Sequence, residues 1–199
     1  FCASHNLFKN RKIQEFWGSH VADFFAGKAE LPCGEIVCPS DYIHLFYLLH
    51  HAFRHLISGG IGLRQMMDIY FAILHRDAGM DARLMKDVND MGMTRFASAS
   101  MWVLRTVFAL PEIPSLWNAD EAEGQFLLNE IMAGGNFGHG DTRFRHPTSR
   151  AGKLVEIARR NLHLLSHYES DALAAPFYYI WHFFWKRIQI CRMWLRCRV

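Results

Sequence analysis

The part of this chain best suited to chemistry is an apolar stretch that holds four histidines, followed by a short polar stripe. His44, His50, His51 and His55 come first. His51 and His55 are one helical turn apart, and His44 lies two turns before His51. The three therefore share a face, as metal ligands on one helix would. The spacing is His-x-x-x-His without the glutamate of His-Glu-x-x-His, so no metalloprotease base is present. Packing or hydrogen bonding is the other use of such histidines.

Beyond Gly59 and Gly60, Arg64, Gln65, Asp68, Ala72 and His75 form a polar or small stripe on a segment otherwise made of residues such as Leu63, Met66, Ile69 and Phe71. Apolar residues point in most directions, which predicts a helix buried nearly all round. A buried arginine or aspartate is costly unless paired. Two arrangements satisfy that. Arg64 and Asp68, one turn apart, can pair and tie the helix to its neighbours. Alternatively the stripe lines a wet cleft, with Arg64 reaching an anionic group. The histidines are placed to hydrogen-bond the stripe across the Gly59–Gly60 turn.

The stretch "GGNFGHGD", residues 134–141, sets glycines around Asn136 and Asp141. Glycines permit close backbone approach and could cradle phosphate. A helix C-cap followed by a tight loop has the same spacing. The stretch lacks the Gly-Lys-Ser/Thr of a P-loop. No Ser-His-Asp motif, dinucleotide fingerprint or close carboxylate pair is readable.

Helices must position these residues. Ile13, Phe16, Trp17, Val21 and Phe24 repeat at three- and four-residue steps, which predicts a helix over 10–25. Glycines and prolines make 27–40 a loop. Ser40 or Asp41 caps a helix running to about Ile57, and Gly59 and Gly60 end it. Helices follow over 62–75, 81–91, 94–110 (ended by Pro111 and Pro114), 120–133, 149–167 and 175–197, with Pro176 in the first turn of the last. No alternating β pattern appears. The expected fold is mainly α, a multi-helix bundle of seven or eight helices forming a single helical domain over 1–199.

The 199 residues are 51% hydrophobic and 14% aromatic, which supports a sizeable core. Net charge is +3 from 22 basic and 19 acidic residues, too mild to demand a nucleic acid. Lys186, Arg187, Arg192, Arg196 and Arg198 crowd the end, either as a solvated face or as a contact for phosphate or anionic lipid. The aromatic run before them reads as core packing or as a membrane-surface helix. Cys2, Cys33, Cys38, Cys191 and Cys197, odd in number and irregular in spacing, fit a reduced, cytoplasmic setting. The chain opens on Phe1 in mid-pattern and reads as a fragment.

The order of "NRKIQEFW", "YLLHHAFRHLISGGIGLRQMMD", "GMTRFASASMWVL", "GGNFG" and "HYESDALAAPFYYIWHFFWKR" resembles a bacterial family of uncharacterised nucleotidyltransferases within the broad polymerase-β-like superfamily. The likeness runs over nearly the whole chain. It implies a larger α+β protein whose N-terminal catalytic core carries an Asp-x-Asp pair. Those carboxylates would bind Mg²⁺ and activate the hydroxyl that attacks the α-phosphate of an NTP. This sequence matches the helical C-terminal part and contains no Asp-x-Asp. The resemblance therefore puts the carboxylates and the Mg²⁺ outside this chain and assigns no catalytic residue within it. By the same resemblance His51, His55, Arg64, Gln65 and Asp68 line the wall of a nucleotide or acceptor cleft, and Asn136 shapes a neighbouring loop. The partners implied are an NTP and an acceptor of unknown identity. Ser170 or Asp171 keeps a capping role. Two other readings stand beside this one: a non-catalytic helical interaction module, and a metal-binding helical protein using His44, His51 and His55.

Overall fold

A computed structural model describes residues 6–134, 143 and 149–196. Among them the fold is mainly helical, with eight α-helices and one two-stranded sheet. Asn136 lies outside the described residues, as does most of the 135–148 stretch. The chain divides into two compact units: Lys12–Arg143, and Phe1–Arg11 together with Phe144–Val199.

In the first of these units α2 (Asp41–Ser58) is the central element. The Ser40 hydroxyl accepts the Ile43 N–H at 3.4 Å, so the serine is the cap. Ile43, Leu45, Phe46, Leu49 and Leu56 are then fully buried. Each such side chain taken out of water contributes about 1.5–3 kcal/mol. Phe16, from α1 (Leu7–Ser19), stacks on Phe46 with ring centroids 4.0 Å apart. The helix expected over 10–25 stops sooner. Ala22–Phe25 is a short 3₁₀ turn, and Val21, assigned to the apolar face, is exposed.

α2 ends where two glycines predict it. The N–H groups of Gly59 and Gly60 both donate to the His55 carbonyl, at 2.9 and 2.7 Å, and Gly60 takes φ of +119°. A residue with a Cβ would be strained there. α3 (Leu63–His75) then runs back along α2 and buries Met66, Ile69 and Ile73. It is not buried all round. Leu63, Met67, Phe71 and Leu74 lie at the surface together with Arg64, Asp68 and His75.

α4 (Asp81–Asp90) and α5 (Thr94–Phe108) complete the core with Leu84, Val88, Phe96 and Leu104. α5 ends at Ala109, in the left-handed region at φ 54°, before either proline is reached. α6 (Glu121–Gly134) packs closely on α5.

The predicted loop over 27–40 is instead a β-hairpin. β1 (Gly27–Leu31) pairs antiparallel with β2 (Gly34–Cys38), from Gly27 opposite Cys38 to Leu31 opposite Gly34. Both faces are largely exposed, so no core imposes alternation on the sequence. Cys33 sits exposed at the turn as a free thiol.

In the other unit, α7 spans Arg150–Leu164 and α8 spans Glu169–Arg196. α8 begins earlier than predicted, which leaves Pro176 inside the helix rather than in its first turn. Asp171 is buried, and its carboxylate accepts from Lys9 at 2.7 Å and from Asn6 at 3.3 Å. It therefore joins two chain segments of this unit, beyond the capping role expected of it. Tyr178 is buried, but Phe177, Trp181 and Trp185 lie at the surface, so core packing describes only part of the aromatic run. Among the described residues no helix is long and apolar enough to cross a membrane.

Candidate functional site

Where the beginning of α2 meets the end of α3, a groove of about 320 Å³ opens to solvent. Asp41, His44 and Leu48 line it from α2, and Asp68, Phe71 and His75 from α3. The helical period explains the grouping. Positions 41, 44 and 48 stack on one side of α2, and 68, 71 and 75 on one side of α3. The turn at 59–62 folds one helix back on the other, so the two sides meet. The lining pairs two carboxylates and two imidazoles with apolar Leu48 and Phe71, and contains no lysine or arginine.

The expected site residues separate. Asp68 lines the groove. Arg64 lies one turn earlier on the same exposed side of α3. Among the described residues the two make no ion pair, so the pairing open to them in sequence is not used. Both sit in water, which removes the burial cost that would have forced it. Gln65 points the other way. It is 8% exposed, and its Oε1 accepts the Gly62 N–H at 3.0 Å, closing the first turn of α3. Five residues of the stripe were grouped by type, but Gln65 is rotated about 100° from Arg64 and falls on the core side.

His51 and His55 meet each other further along α2, Nε2 to Nε2 at 3.1 Å, and His51 stacks on Tyr47 at 5.4 Å. Burial, then the neighbouring Arg54, holds His51 below the ordinary imidazole range. His55 is lowered by burial, by His51 and by Arg54. His50 faces inward. Burial first, then Arg54 and His51, push it down to about 4.

The metal-ligand reading of His44, His51 and His55 is not met. Among the described residues no three His, Cys, Asp or Glu side chains are arranged to hold a metal. His44 belongs to the groove, while the other two bond to each other. Asp41 escaped the sequence reading because it was taken only as a capping residue. Its three-residue spacing to His44 was the available signal.

The α2–α3 hairpin lies wholly inside a recognised family region. A family model described as uncharacterised nucleotidyltransferase matches residues 4–109, just over half of the chain, and the chain belongs to that family. No curated protein and no solved structure matches it.

Proposed function

We propose that the chain is the helical substrate-binding portion of a nucleotidyltransferase that moves a nucleotidyl group from an NTP to an acceptor. The observation that carries this reading is the solvent-open groove on the α2–α3 hairpin, within the residues that define the family. In the reaction an acceptor oxygen forms a bond to the α-phosphorus. The bond from that phosphorus to the oxygen bridging to the β-phosphate breaks. Pyrophosphate leaves with the electron pair, and the acceptor's proton goes to water. Mg²⁺ would be held by carboxylates outside this chain, in an N-terminal α/β core for which this would be the C-terminal helical part. A reducing, cytoplasmic setting belongs to the same reading.

Within this chain, Arg64 is exposed in the first turn of α3. A guanidinium at the positive end of a helix suits a phosphate. Asp68 and the histidines would orient the acceptor alongside. The test is titration of the full-length protein with ATP in the presence of Mg²⁺, wild type against Arg64→Ala. Loss of one charge-assisted hydrogen bond, about 1.5–3 kcal/mol, weakens ATP binding by roughly 10- to 150-fold. Unchanged binding and turnover at unchanged melting temperature would remove Arg64 from the site.

A further inference from the structure

α8 leaves a row of large apolar side chains in water. Leu173, Phe177, Trp181 and Trp185 follow one another at four-residue steps with Ile180 beside them, and each is between 41% and 62% exposed. Residues four apart are neighbours on a helix surface, so the row is continuous. It runs for ~18 Å at 1.5 Å per residue. The rings of Trp181 and Trp185 stack at 5.6 Å with their planes 13° apart, and so present one broad apolar surface. The core of this unit is supplied instead by Ala172, Ala174, Ala175 and Tyr178 of the same helix, which are buried. A contiguous apolar row left in water marks a surface that meets a partner.

Charge says what that partner is. Residues 172–199 hold Lys186, Arg187, Arg192, Arg196 and Arg198 and no aspartate or glutamate. Arg187 is exposed two residues beyond Trp185. A second copy of α8 would bring one set of positive charges against another, and like charges repel. A nucleic acid would match the charge and could stack its bases on the rings, but it offers no hydrocarbon to Leu173 and Ile180. An anionic lipid surface meets both demands at once. The acyl boundary takes the leucine, isoleucine and phenylalanine, tryptophan settles at headgroup level, and the basic side chains meet the headgroup anions. A cluster of about four to eight basic residues on an amphipathic helix is what such recognition uses. Among the described residues no helix is long and apolar enough to cross a membrane, so α8 would lie along the surface rather than span it.

We propose that α8 docks the chain on an anionic lipid bilayer, with the row from Leu173 to Trp185 at the acyl boundary and the basic residues beyond it on the headgroups. The aromatic run is thus divided in its work. Its buried members hold the unit together, and its exposed members hold the unit to the membrane surface.

The experiment mixes the full-length protein with lipid vesicles and reads tryptophan emission together with the fraction of protein that floats with the lipid. The protein should float with phosphatidylcholine vesicles containing roughly 30% phosphatidylserine and far less with phosphatidylcholine alone, since each basic side chain near an anionic surface contributes about fivefold in affinity. Salt at ~0.5 M, which shortens the screening length to about 4 Å, should release most of it. Emission should move to shorter wavelength on binding, and lipids brominated on their acyl chains should quench it. Trp181→Ser combined with Trp185→Ser, at exposed positions, should weaken binding at least tenfold at unchanged melting temperature and remove the greater part of the quenching. Arg192→Gln combined with Arg196→Gln should weaken it about fivefold for each charge removed. Should the paired tryptophan variant fail to fold, quenching of the wild type decides. Failure to float with the anionic vesicles at low salt overturns the proposal. So does binding without quenching, or binding that a folded tryptophan variant leaves unmoved. A single-stranded RNA that displaces the vesicles, or a dimer that the tryptophan variant abolishes in a protein that ignores vesicles, gives the surface to another occupant and overturns it as well.

Discussion

The Nε2 atoms of His51 and His55 lie 3.1 Å apart on successive turns of α2, with the two rings edge to face. At that distance one ring donates and the other accepts, so the pair holds its bond only while one of the two is neutral. Burial is the first reason His55 titrates low, and the charge of His51 is the second. Replacing His51 with asparagine should therefore raise the titration midpoint of His55 toward the ordinary imidazole value. NMR titration of its ring protons reads this directly. An unmoved midpoint would show that burial and Arg54 act alone.

His50 makes stability depend on pH in a definite direction. Its ring is 4% exposed, and its folded pKa is about 4 against 6.5 for an exposed imidazole. Above 6.5 both folded and unfolded chains carry the neutral ring. Between 6.5 and about 4 the unfolded chain binds a proton that the folded chain refuses, so stability falls as pH falls. The loss is on the order of 3 kcal/mol. Urea midpoints measured from pH 7 to pH 4 should show the decline, and His50→Phe should make it shallower, the remainder coming from His51 and His55, which are lowered too. A phenyl ring suits the site, which already stacks on Phe46 and meets Trp17 edge-on.

Asp81 holds the start of α4 to the end of α3. Its two carboxylate oxygens accept from Nε and a terminal nitrogen of Arg76, both at 2.7 Å, and from the Ser115 hydroxyl. The side chains of Asp81 and Arg76 are only 3% and 9% exposed. Asp81→Ala leaves a buried guanidinium without its anion, a change worth about 3–5 kcal/mol. Denaturant unfolding should show that loss, while Ser115→Ala should cost under about 2 kcal/mol. Equal costs for the two would mean the arginine finds another partner.

Gly124 sets the spacing between α5 and α6. A Cβ added there would stand 2.5 Å from the Cβ of Trp102 and 2.6 Å from its ring. Glycine to alanine within a helix ordinarily gains about 1 kcal/mol. Here overpacking costs about 1–3 kcal/mol and wins. Gly124→Ala should lower the melting temperature in the wild-type background and raise it when Trp102 is first replaced by glycine, which removes the clashing Cβ together with the ring. Stabilisation in both backgrounds would mean the helices separate freely.

The limits of α2 could be read in sequence because Ser40 and the Gly59–Gly60 pair act locally, through the side chain of one and the positive φ of the other. The hairpin over 27–38 left no such mark. It rests on backbone pairing with both faces exposed, so the residues alternate in no readable way. Met67 and Phe71 were assigned to the interior on hydrophobicity alone, yet α3 turns them outward with Arg64 and Asp68. Side-chain type says what prefers burial. Which side of a helix finds a neighbour depends on partners distant in sequence, such as α5, on which α3 also packs. The groove combines both kinds of information: His44, Asp68 and His75 stood out by type and spacing while Asp41 was read only as a cap, and the meeting of 41 and 44 with 68 and 75 required the reversal at 59–62.

That reversal also bears on the order in which the protein assembles. The two walls of the groove come from adjacent helices joined by residues 59–62, so bringing them together closes only a short loop, for which the entropic penalty is small. Contacts this local belong to fast steps of folding. The cleft can thus take shape early, as soon as both helices have been synthesised, before α5 arrives to pack against α3.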